Sequence, residues 1–351
     1  MADRRPRVWV SQPLFDDIVA QLEAYFEVVP TVEVTAHSSA DITARLGGVD
    51  GALVTLNESV GAAEIAGAAH LRAIANVGVG YNNLDVEALG AAGILASNTP
   101  DVLTETTADL GFALLMAAAR RITESERWLR DGQWRQWSFT TMLGADIHGA
   151  TLGIVGMGRI GQAIARRAHH GFGMKVLYHN RSRLPVALEQ DVGAVYTGFE
   201  ELLARADHLL LVLPYTPHNH HLVDAAALAK MKPTATLVNI ARGGLVDELA
   251  LADALANGRL AAAGLDVYEG EPQVRPELLA LRNIVLTPHI GSASLATRRA
   301  MVQLAVDNLI AALGHGPDAG HPASAINADA VAAAKAGGVT VRGKKTDLDK
   351  R

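Results

Sequence analysis

One glycine pattern, in residues 151–168 (TLGIVGMGRIGQAIARRA), limits the possible folds more than any other feature of the sequence. The apolar run LGIV is typical of a buried strand, and glycines in the spacing G-x-G-x-x-G follow it at the start of a helical pattern. The first glycine allows a tight turn, the second lets the backbone approach a pyrophosphate, and the third lets the helix pack closely on the strand. The motif therefore predicts a dinucleotide site at the amino end of a helix, with a purely structural turn as the alternative. The predicted phosphate loop comprises Gly156, Gly158, Arg159, Ile160 and Gly161.

The glycine motif belongs to the second of two series in which short apolar runs alternate with amphipathic stretches. The first series runs from RVWV to ILASN, and the second from ATLGIVG through KVLYH, HLLLVLP and TATLVNI to NIVLTPHI. Such alternation is the signature of βα units around a parallel sheet. The sequence therefore predicts an α/β protein with two doubly wound parallel-sheet domains of the Rossmann or flavodoxin-like kind, with an active-site cleft between them.

Two helical patterns suggest how the chain is divided between these domains. One pattern, roughly Thr104 to Arg130, separates the two series, and another, roughly Ser294 to Gly314, follows the second series. We expect the last helix to return to the first domain, and the Ala-, Gly- and Asp-rich end of the chain to be flexible. The predicted boundaries are residues 1–103 plus 292–325 for a discontinuous substrate-binding domain, 104–291 for a dinucleotide-binding domain, and 326–351 for a flexible tail.

The second strand of the second series ends in a loop that lacks an expected acid. Residues 179–183 (HNRSR), here called the ribose loop, stand where an NAD-binding chain would be expected to place an Asp or Glu beside the adenine ribose. Arg181 and Arg183 would instead pair with a 2′-phosphate through charge-assisted hydrogen bonds, and Asn180 and Ser182 would add neutral donors. The loop therefore favours NADP(H), with NAD(H) also usable. The alternative is that its arginines are ordinary solvated loop residues.

Three side chains with complementary chemistry follow strands of the second series: Arg242 in NIARGG, Glu271 in GEP and His289 in TPHIG. Ligands of open α/β sheets bind beyond the carboxyl ends of the strands, so we expect these side chains to face one crevice. An arginine can clamp a carboxylate, and a histidine can exchange a proton near neutral pH. A neighbouring glutamate would orient the imidazole and favour its charged form. Each residue alone has an ordinary structural explanation, so the prediction depends on finding all three after the glycine motif.

Composition excludes several other classes of protein. The chain has 351 residues, a net charge of −6 and no cysteine. This argues against a broad basic nucleic-acid surface and rules out disulfides and Cys-ligated metals. Because no apolar run reaches membrane-spanning length and no signal-peptide pattern is present, we expect a cytoplasmic protein. The histidine runs at 169–170 and 218–221 have no neighbouring carboxylate pattern that completes a ligand set, so we predict no metal.

Together these motifs resemble the D-isomer-specific 2-hydroxyacid dehydrogenase family. Within it, the sequence is most similar to bacterial glyoxylate/hydroxypyruvate reductases, some of which also reduce 2-ketogluconate. The likeness spans about residues 70 to 312 and is carried by NVGVGYNNLD, NTPDVLTETTADL, TLGIVGMGRIGQAIARRA, NIARGGLVDELAL, AAGLDVYEGEP and LTPHIGSAS. The resemblance implies a homodimeric NAD(P)-dependent oxidoreductase that reduces small 2-oxoacids to D-2-hydroxyacids.

The resemblance also implies roles for individual residues. Arg242, Glu271 and His289 would be the catalytic set, with His289 donating a proton to the oxygen of a 2-oxoacid while the nicotinamide donates a hydride to its keto carbon. Asp266 would contact the nicotinamide carboxamide. The remaining implied binding residues are Val77, Gly78, Val79 and Gly80 for the substrate carboxylate, together with Arg242, and Thr107 and Pro214 beside the cofactor.

Two rival functions remain open at this point. Phosphite dehydrogenases resemble the same family and are not excluded by the Arg, Glu and His residues. Formate dehydrogenases usually carry glutamine at the position of Glu271, which argues against that branch. Corepressor-like proteins that sense dinucleotides share the fold and can retain the same three residues, so these residues alone do not separate an enzyme from a sensor.

Overall fold

The computed structural model describes residues 4–34 and 36–336. These residues form two compact units, one made of the described residues up to Leu103 and from Leu295 onwards, and the other made of Thr104–Ser294. The chain therefore leaves the first unit once and returns to it once. None of the helices in the described ranges is long and apolar enough to cross a membrane.

The amino-terminal part of the first unit is a five-stranded parallel sheet in the order β2-β1-β3-β4-β5. This order is that of flavodoxin-like doubly wound folds. β3 and β4 are buried along their whole length, because a parallel sheet covered on both faces requires apolar residues on both. The elements are β1 (Arg7–Val10), α1 (Asp16–Val19), β2 (Glu27–Pro30), α2 (Ser39–Leu46), β3 (Gly51–Val54), α3 (Ala62–Ile65), β4 (Ala73–Asn76), α4 (Val86–Ala91) and β5 (Leu95–Ser97).

The second unit is a seven-stranded parallel sheet in the order β12-β11-β10-β9-β6-β7-β8. The order reverses between β6 and β9, as in the dinucleotide-binding Rossmann fold, so the predicted fold class is confirmed. Its helices are α5 (Thr104–Ala119), α6 (Ile122–Arg130), α7 (Arg159–Arg166), α8 (Val186–Asp191), α9 (Phe199–Arg205), α10 (Ala225–Leu228), α11 (Glu248–Ala256) and α12 (Pro276–Leu279). Its strands are β6 (Thr151–Val155), β7 (Lys175–His179), β8 (Ala194–Tyr196), β9 (His208–Leu211), β10 (Thr236–Asn239), β11 (Ala262–Leu265) and β12 (Ile284–Leu286).

The strand register aligns the carboxyl ends of the second sheet. Val155, the last residue of β6, pairs with His179 on one side and with Leu211 on the other. Further along, Asn239 pairs with Leu211 and with Leu265. Because all the strands are parallel, the loops that follow them begin at one edge of the sheet. The phosphate loop and the ribose loop both start at this edge. So do the segments that carry the three predicted catalytic residues.

The helical pattern predicted over Thr104–Arg130 is two helices rather than one. α5 ends at Ala119 and α6 begins at Ile122, and Arg121 between them has φ 55°, in the left-handed region. The carbonyl of Ala119 accepts a hydrogen bond from the backbone N–H of Ala145, which leaves this carbonyl engaged outside the helix. The break therefore comes from a contact with a segment distant in the sequence, which helical periodicity does not reveal.

The carboxyl-terminal part of the first unit contains α13 (Leu295–Ala312) and α14 (Ala328–Ala336). The prediction of a flexible tail over 326–351 is wrong for its first residues. Asn327 is buried, its Oδ1 accepts from the N–H of Ala96 at 2.8 Å, and its Nδ2 donates to the carbonyl of Ile94 at 2.9 Å. These bonds attach the segment before α14 to the backbone at β5 and so anchor α14, whose Val331 is 5% exposed. Residues 337–351 of the predicted tail lie outside the described residues.

Candidate active site

The three glycines of the phosphate loop differ in whether the protein around them leaves room for a side chain. Gly156 has φ 102°, and a Cβ there would lie 2.6 Å from the carbonyl oxygen of Val212. A Cβ on Gly161 would lie 2.3 Å from the carbonyl oxygen of Gly156, so both glycines are required by the turn itself. A Cβ on Gly158 would meet no protein atom within 4 Å. The second glycine is therefore not required by internal packing, as expected where a ligand approaches the backbone.

The amino end of α7 is well suited to bind an anion. α7 begins at Arg159, and no side chain caps its amino end. Uncapped N–H groups and the helix dipole both favour negative charge at this position. The N–H of Met157 donates to Asn180 Oδ1 at 2.6 Å, which ties the ribose loop directly to the phosphate loop. Asn180 thus supports the shape of the site with the oxygen of its side-chain amide.

The ribose loop contains an ion pair that no sequence pattern indicated. Arg183 Nε and Nη2 donate to Glu189 Oε1 and Oε2 at 2.8 and 2.7 Å, and Glu189 belongs to α8. The hydrogen bonds from Arg183 and then from Tyr178 lower the pKa of Glu189 to about 2. Arg181 and Ser182 are exposed, and no hydrogen bond or ion pair of theirs is recorded within the described ranges. The two arginines, treated alike in the sequence analysis, are therefore in different environments.

The structure brings Glu271 and His289 into direct contact. His289 Nδ1 lies 2.7 Å from Glu271 Oε2, while Glu271 Oε1 accepts from the backbone N–H of Tyr268 at 3.0 Å. Burial alone would raise the pKa of Glu271, but the hydrogen bond and charge of His289 outweigh it and hold that pKa below its usual value. The ionised carboxylate thus fixes the orientation of the ring. Nε2, the other imidazole nitrogen, has no recorded partner in the part of the chain that the structure describes, and can exchange a proton.

The loop that carries His289 is fixed by the carboxylate of Asp266. Asp266 Oδ1 accepts from Thr287 Oγ1 at 2.6 Å and from the N–H of Ile290 at 2.8 Å, and Oδ2 accepts from the N–H of Gly291 at 2.8 Å. His289 itself has φ 52°, in the left-handed region, which is uncommon for a residue with a side chain. Asp266 is 1% exposed, so in this structure its carboxylate contacts the His289 loop. The predicted contact with a carboxamide stays a prediction.

Arg242 follows β10 and lies near Glu271. Its Nη1 donates to the carbonyl of Ala241 at 2.6 Å, and no ion pair of Arg242 is recorded among residues 4–34 and 36–336. Burial lowers the pKa of Arg242, and the charge of Glu271 opposes this shift. A Cβ on Gly243 would lie 1.9 Å from the backbone carbon of Tyr268, so the two loops pack directly on each other. The site therefore presents a partly desolvated cation beside a histidine–carboxylate pair.

Two other predicted cofactor residues lie at the same edge of the second unit. Thr107 in α5 is buried, and a Cβ on Gly291 would contact its Cγ2 at 3.4 Å. Pro214 is exposed in the loop after β9, where its carbonyl accepts from Asn219 Nδ2 at 2.9 Å. Thr107 is therefore next to the loop that carries His289, and Pro214 is on the surface.

The predicted carboxylate-binding loop lies in the first unit, directly after β4. The carbonyl of Gly78 accepts a hydrogen bond from the N–H of Thr99. The carbonyl of Val79 accepts from the side-chain amide of Asn98, and that of Gly80 from the side-chain amide of Asn76. The N–H of Gly78 donates to the Asn76 carbonyl, and that of Val77 to the Val54 carbonyl. No acceptor is recorded within the described residues for the N–H groups of Val79 and Gly80. These two N–H groups can bind an anion.

The histidine run at 218–221 lies beside the carboxylate of Glu269, which is distant from it in the sequence. His221 Nε2 lies 2.6 Å from Glu269 Oε1, and Glu269 Oε2 accepts from Arg275 Nη2 at 3.0 Å. His220 and His221 are stacked, with centroids 3.9 Å apart and planes inclined by 24°. One possible ligand atom from each of His220, His221 and Glu269 lies within 4.8 Å of the other two, a spacing that could hold a metal ion. The absence of a metal stays a prediction.

Known proteins resemble this chain over most of its length. Residues 112–291 match the NAD-binding domain of the D-isomer specific 2-hydroxyacid dehydrogenases. A glyoxylate reductase of Thermococcus kodakarensis is 43% identical over 88% of this chain and 93% of its own length. Glyoxylate/hydroxypyruvate reductase B of Klebsiella pneumoniae is 45% identical over 88% of this chain and 95% of its own.

A solved structure gives the same result at the level of the fold. It is the NADPH-dependent glyoxylate/hydroxypyruvate reductase of Sinorhizobium meliloti in complex with NADP and malonate. It is 37% identical to this chain, with a TM-score of 0.80, and the match covers 92% of this chain and 97% of the other. The resemblance inferred from the motifs is thus confirmed, and the chain belongs to the D-isomer specific 2-hydroxyacid dehydrogenase family.

Proposed function

We propose that this protein is a cytoplasmic enzyme that reduces small 2-oxoacids to D-2-hydroxyacids, with glyoxylate and hydroxypyruvate as substrates, 2-ketogluconate as a further candidate, and NADPH as the preferred reductant. The observation that carries the proposal is the His289–Glu271 pair at 2.7 Å, at the sheet edge from which the phosphate loop also begins. The names of the similar glyoxylate and glyoxylate/hydroxypyruvate reductases support the substrate class.

His289 is the proton donor in the proposed reaction. A bound reduced nicotinamide would supply the hydride for the keto carbon, and the keto oxygen must then gain a proton. Glu271 holds Nδ1, so Nε2 is the nitrogen that releases this proton. In the reverse direction the neutral imidazole removes the proton from the hydroxyl group. The ionised Glu271 stabilises the charged ring before transfer and keeps its orientation afterwards.

Arg242 and the loop after β4 are the proposed anion-binding groups. Within the described residues, the guanidinium of Arg242 makes one hydrogen bond, to the carbonyl of Ala241. Most of its donors are therefore available to a carboxylate or to the developing alkoxide. A fixed cation in a partly desolvated site stabilises negative charge more strongly than one in water. We assign the substrate carboxylate to Arg242 in the second unit. In the first unit, the N–H groups of Val79 and Gly80 are a separate group of donors that can bind an anion.

The proposed preference for NADPH depends on the arginines of the ribose loop. We expect the double substitution R181A/R183A to raise the KM for NADPH by roughly 10- to 100-fold, as expected for lost hydrogen bonds between charged groups. The KM for NADH should change less than about twofold, because NADH carries no 2′-phosphate. The measurement is a pair of initial-rate titrations with glyoxylate held at saturation. Arg282→Ala, at an exposed position of the same unit, is the control. Equal rises for both cofactors would contradict the assignment.

The substrate class is tested by one panel of initial rates. Glyoxylate, hydroxypyruvate and 2-ketogluconate are each assayed with NADPH and with NADH, and phosphite is assayed with NAD and NADP. We expect NADPH oxidation with at least one of the 2-oxoacids and no reduction of either cofactor by phosphite. Reduction of NAD by phosphite without activity on any 2-oxoacid would replace the proposal by the phosphite reaction.

The homodimer is also part of the proposal, and exposed apolar side chains support it. Trp137 and Phe139 are 71% and 84% exposed, and Ile122, Leu129, Trp134 and Leu143 in the same stretch are 50–64% exposed. Such a concentration is typical of a surface that another chain covers. We expect light scattering to give a two-chain mass for the wild type and a one-chain mass for W137E/F139E. Val195→Glu, at a position of β8 that is 59% exposed, is the matched control and should remain dimeric. A wild type of one-chain mass would contradict the dimer.

A further inference from the structure

The ribose loop itself contains no acid, but the following helix supplies one. Glu189 in α8 is nearly buried, with a side-chain exposure of 7%, whereas the side chain of Arg183 is 59% exposed. Both carboxylate oxygens of Glu189 accept from the Nε and Nη2 edge of Arg183. A pair of parallel N–H···O bonds fixes the plane of a guanidinium as well as its position. The exposed arginine is therefore oriented by a buried carboxylate.

Glu189 is itself fixed by a buried phenol. Tyr178 is 0% exposed in β7, its hydroxyl donates to Glu189 Oε1 at 2.7 Å, and the same hydroxyl accepts from the N–H of Leu184 at 2.8 Å. Burial, followed by the hydrogen bond to Glu189, raises the pKa of Tyr178 to about 12, so the phenol stays protonated and keeps donating. Tyr178 and Glu189 thus hold both the end of the ribose loop and the side chain of Arg183.

The other end of the ribose loop is fixed independently. Asn180 Oδ1 accepts from the N–H of Met157, and the carbonyl of Asn180 accepts from the hydroxyl of Tyr196 at 3.3 Å. With both ends held, Arg181 and Ser182 are the exposed middle of the loop. The ordering of the Arg183 side chain is therefore a separate feature, which depends on Glu189.

The pairing does not use up the donors of Arg183. A guanidinium has five N–H groups, and Glu189 takes one from Nε and one from Nη2. The two N–H groups of Nη1 and the second of Nη2 form another edge, which matches two oxygens of a phosphate. An arginine already held in one orientation loses less conformational entropy when it binds a ligand.

We propose that Glu189 is a positioning residue that sets the preference for NADPH by orienting Arg183 towards the 2′-phosphate. This inference rests on the proposed function. In an NAD-binding chain, an acid in this region would accept hydrogen bonds from the ribose hydroxyls and repel a 2′-phosphate. Here the carboxylate of Glu189 is buried and its charge is balanced by Arg183. Glu189 favours binding of the 2′-phosphate because it acts by orienting Arg183.

The test is a double-mutant cycle on the KM values of the two cofactors. Glu189→Gln should raise the KM for NADPH about tenfold, the effect of one weakened charge-assisted contact, and leave kcat and the KM for NADH within about twofold. In a chain that already carries Arg183→Ala, Glu189→Gln should not raise the KM for NADPH any further, because Glu189 then has no arginine to orient. Glu189→Asp should restore part of the wild-type KM. Glu201→Gln, which breaks an ion pair with Arg205 on the exposed side of α9, should change neither KM.

Several outcomes separate this inference from a merely structural ion pair. Equal rises in both KM values, or the same rise with Arg183 already replaced, would overturn it. If Glu189→Gln does not fold, Tyr178→Phe removes one bond to the carboxylate and should raise the KM for NADPH alone. A rise in both KM values for that variant would again contradict the inference. Failure of the proposed function looks different, since R181A/R183A would then affect NADPH and NADH equally in an otherwise wild-type chain.

Discussion

His289→Ala is expected to lower kcat for 2-oxoacid reduction by about 10²- to 10⁴-fold, the usual contribution of a positioned general acid. The imidazole is held through Nδ1 by Glu271, and no other titratable side chain is hydrogen-bonded to this histidine in the described residues. The hydride can still be delivered, but the oxygen must then obtain its proton from water. The measurement is the steady-state rate of NADPH oxidation, together with the Kd of NADPH from its fluorescence.

The Kd of NADPH should change little in this variant, because His289 lies in a different loop from the phosphate and ribose loops. His170→Ala is a matched control, since His170 is an exposed histidine of the same unit whose recorded hydrogen bond is to the carbonyl of Asp191. That variant should keep wild-type kcat. A near-normal kcat in His289→Ala would remove His289 from the proton-transfer role and leave its left-handed backbone without a functional explanation.

Arg242→Gln is expected to lower kcat/KM for glyoxylate by about 10²- to 10³-fold, the effect of removing a fixed donor from a developing oxyanion. The loss should appear both as a higher KM and as a lower kcat, because the same guanidinium would bind the carboxylate and stabilise the transition state. Arg242→Lys keeps the charge without the planar pair of donors and should recover only part of the activity.

The Arg242 variants need one check of the fold. Arg242 packs beside Gly243, which contacts the backbone of Tyr268, so a disturbed loop would also move Glu271. Thermal unfolding and the Kd of NADPH should therefore stay close to the wild-type values. If Arg242→Gln lowers kcat/KM less than about tenfold with the fold intact, the carboxylate must be bound by other groups.

The alternation of apolar runs and the glycine motif were enough to predict the parallel sheets and the dinucleotide-binding unit. The strand ends were also informative, because residues after adjacent parallel strands must lie at one edge. Glu271 and His289, which are 18 positions apart and follow different strands, could be placed together for this reason. Strands, helices and their ends can be predicted from local patterns because they depend on burial and turn geometry within each βα unit.

Contacts made at long range were not predictable in the same way. Asn327 anchors α14 by bonding to Ile94 and Ala96, more than two hundred residues earlier, and nothing in the composition of the tail indicates this. Glu189 lies close in sequence to Arg183, yet an ordinary exposed helix would contain such a glutamate too. A usable signal was the tyrosine in the buried strand KVLYH, since a buried phenol requires a hydrogen-bonding partner.

The configuration of the product formed from hydroxypyruvate decides whether this protein is a D-2-hydroxyacid dehydrogenase in activity. The purified protein is incubated with hydroxypyruvate and NADPH, and the glycerate is resolved on a chiral column, with His289→Ala as the inactive control. We expect D-glycerate in an amount equal to the NADPH consumed. Formation of L-glycerate, or no glycerate with wild-type protein that binds NADPH, would contradict it.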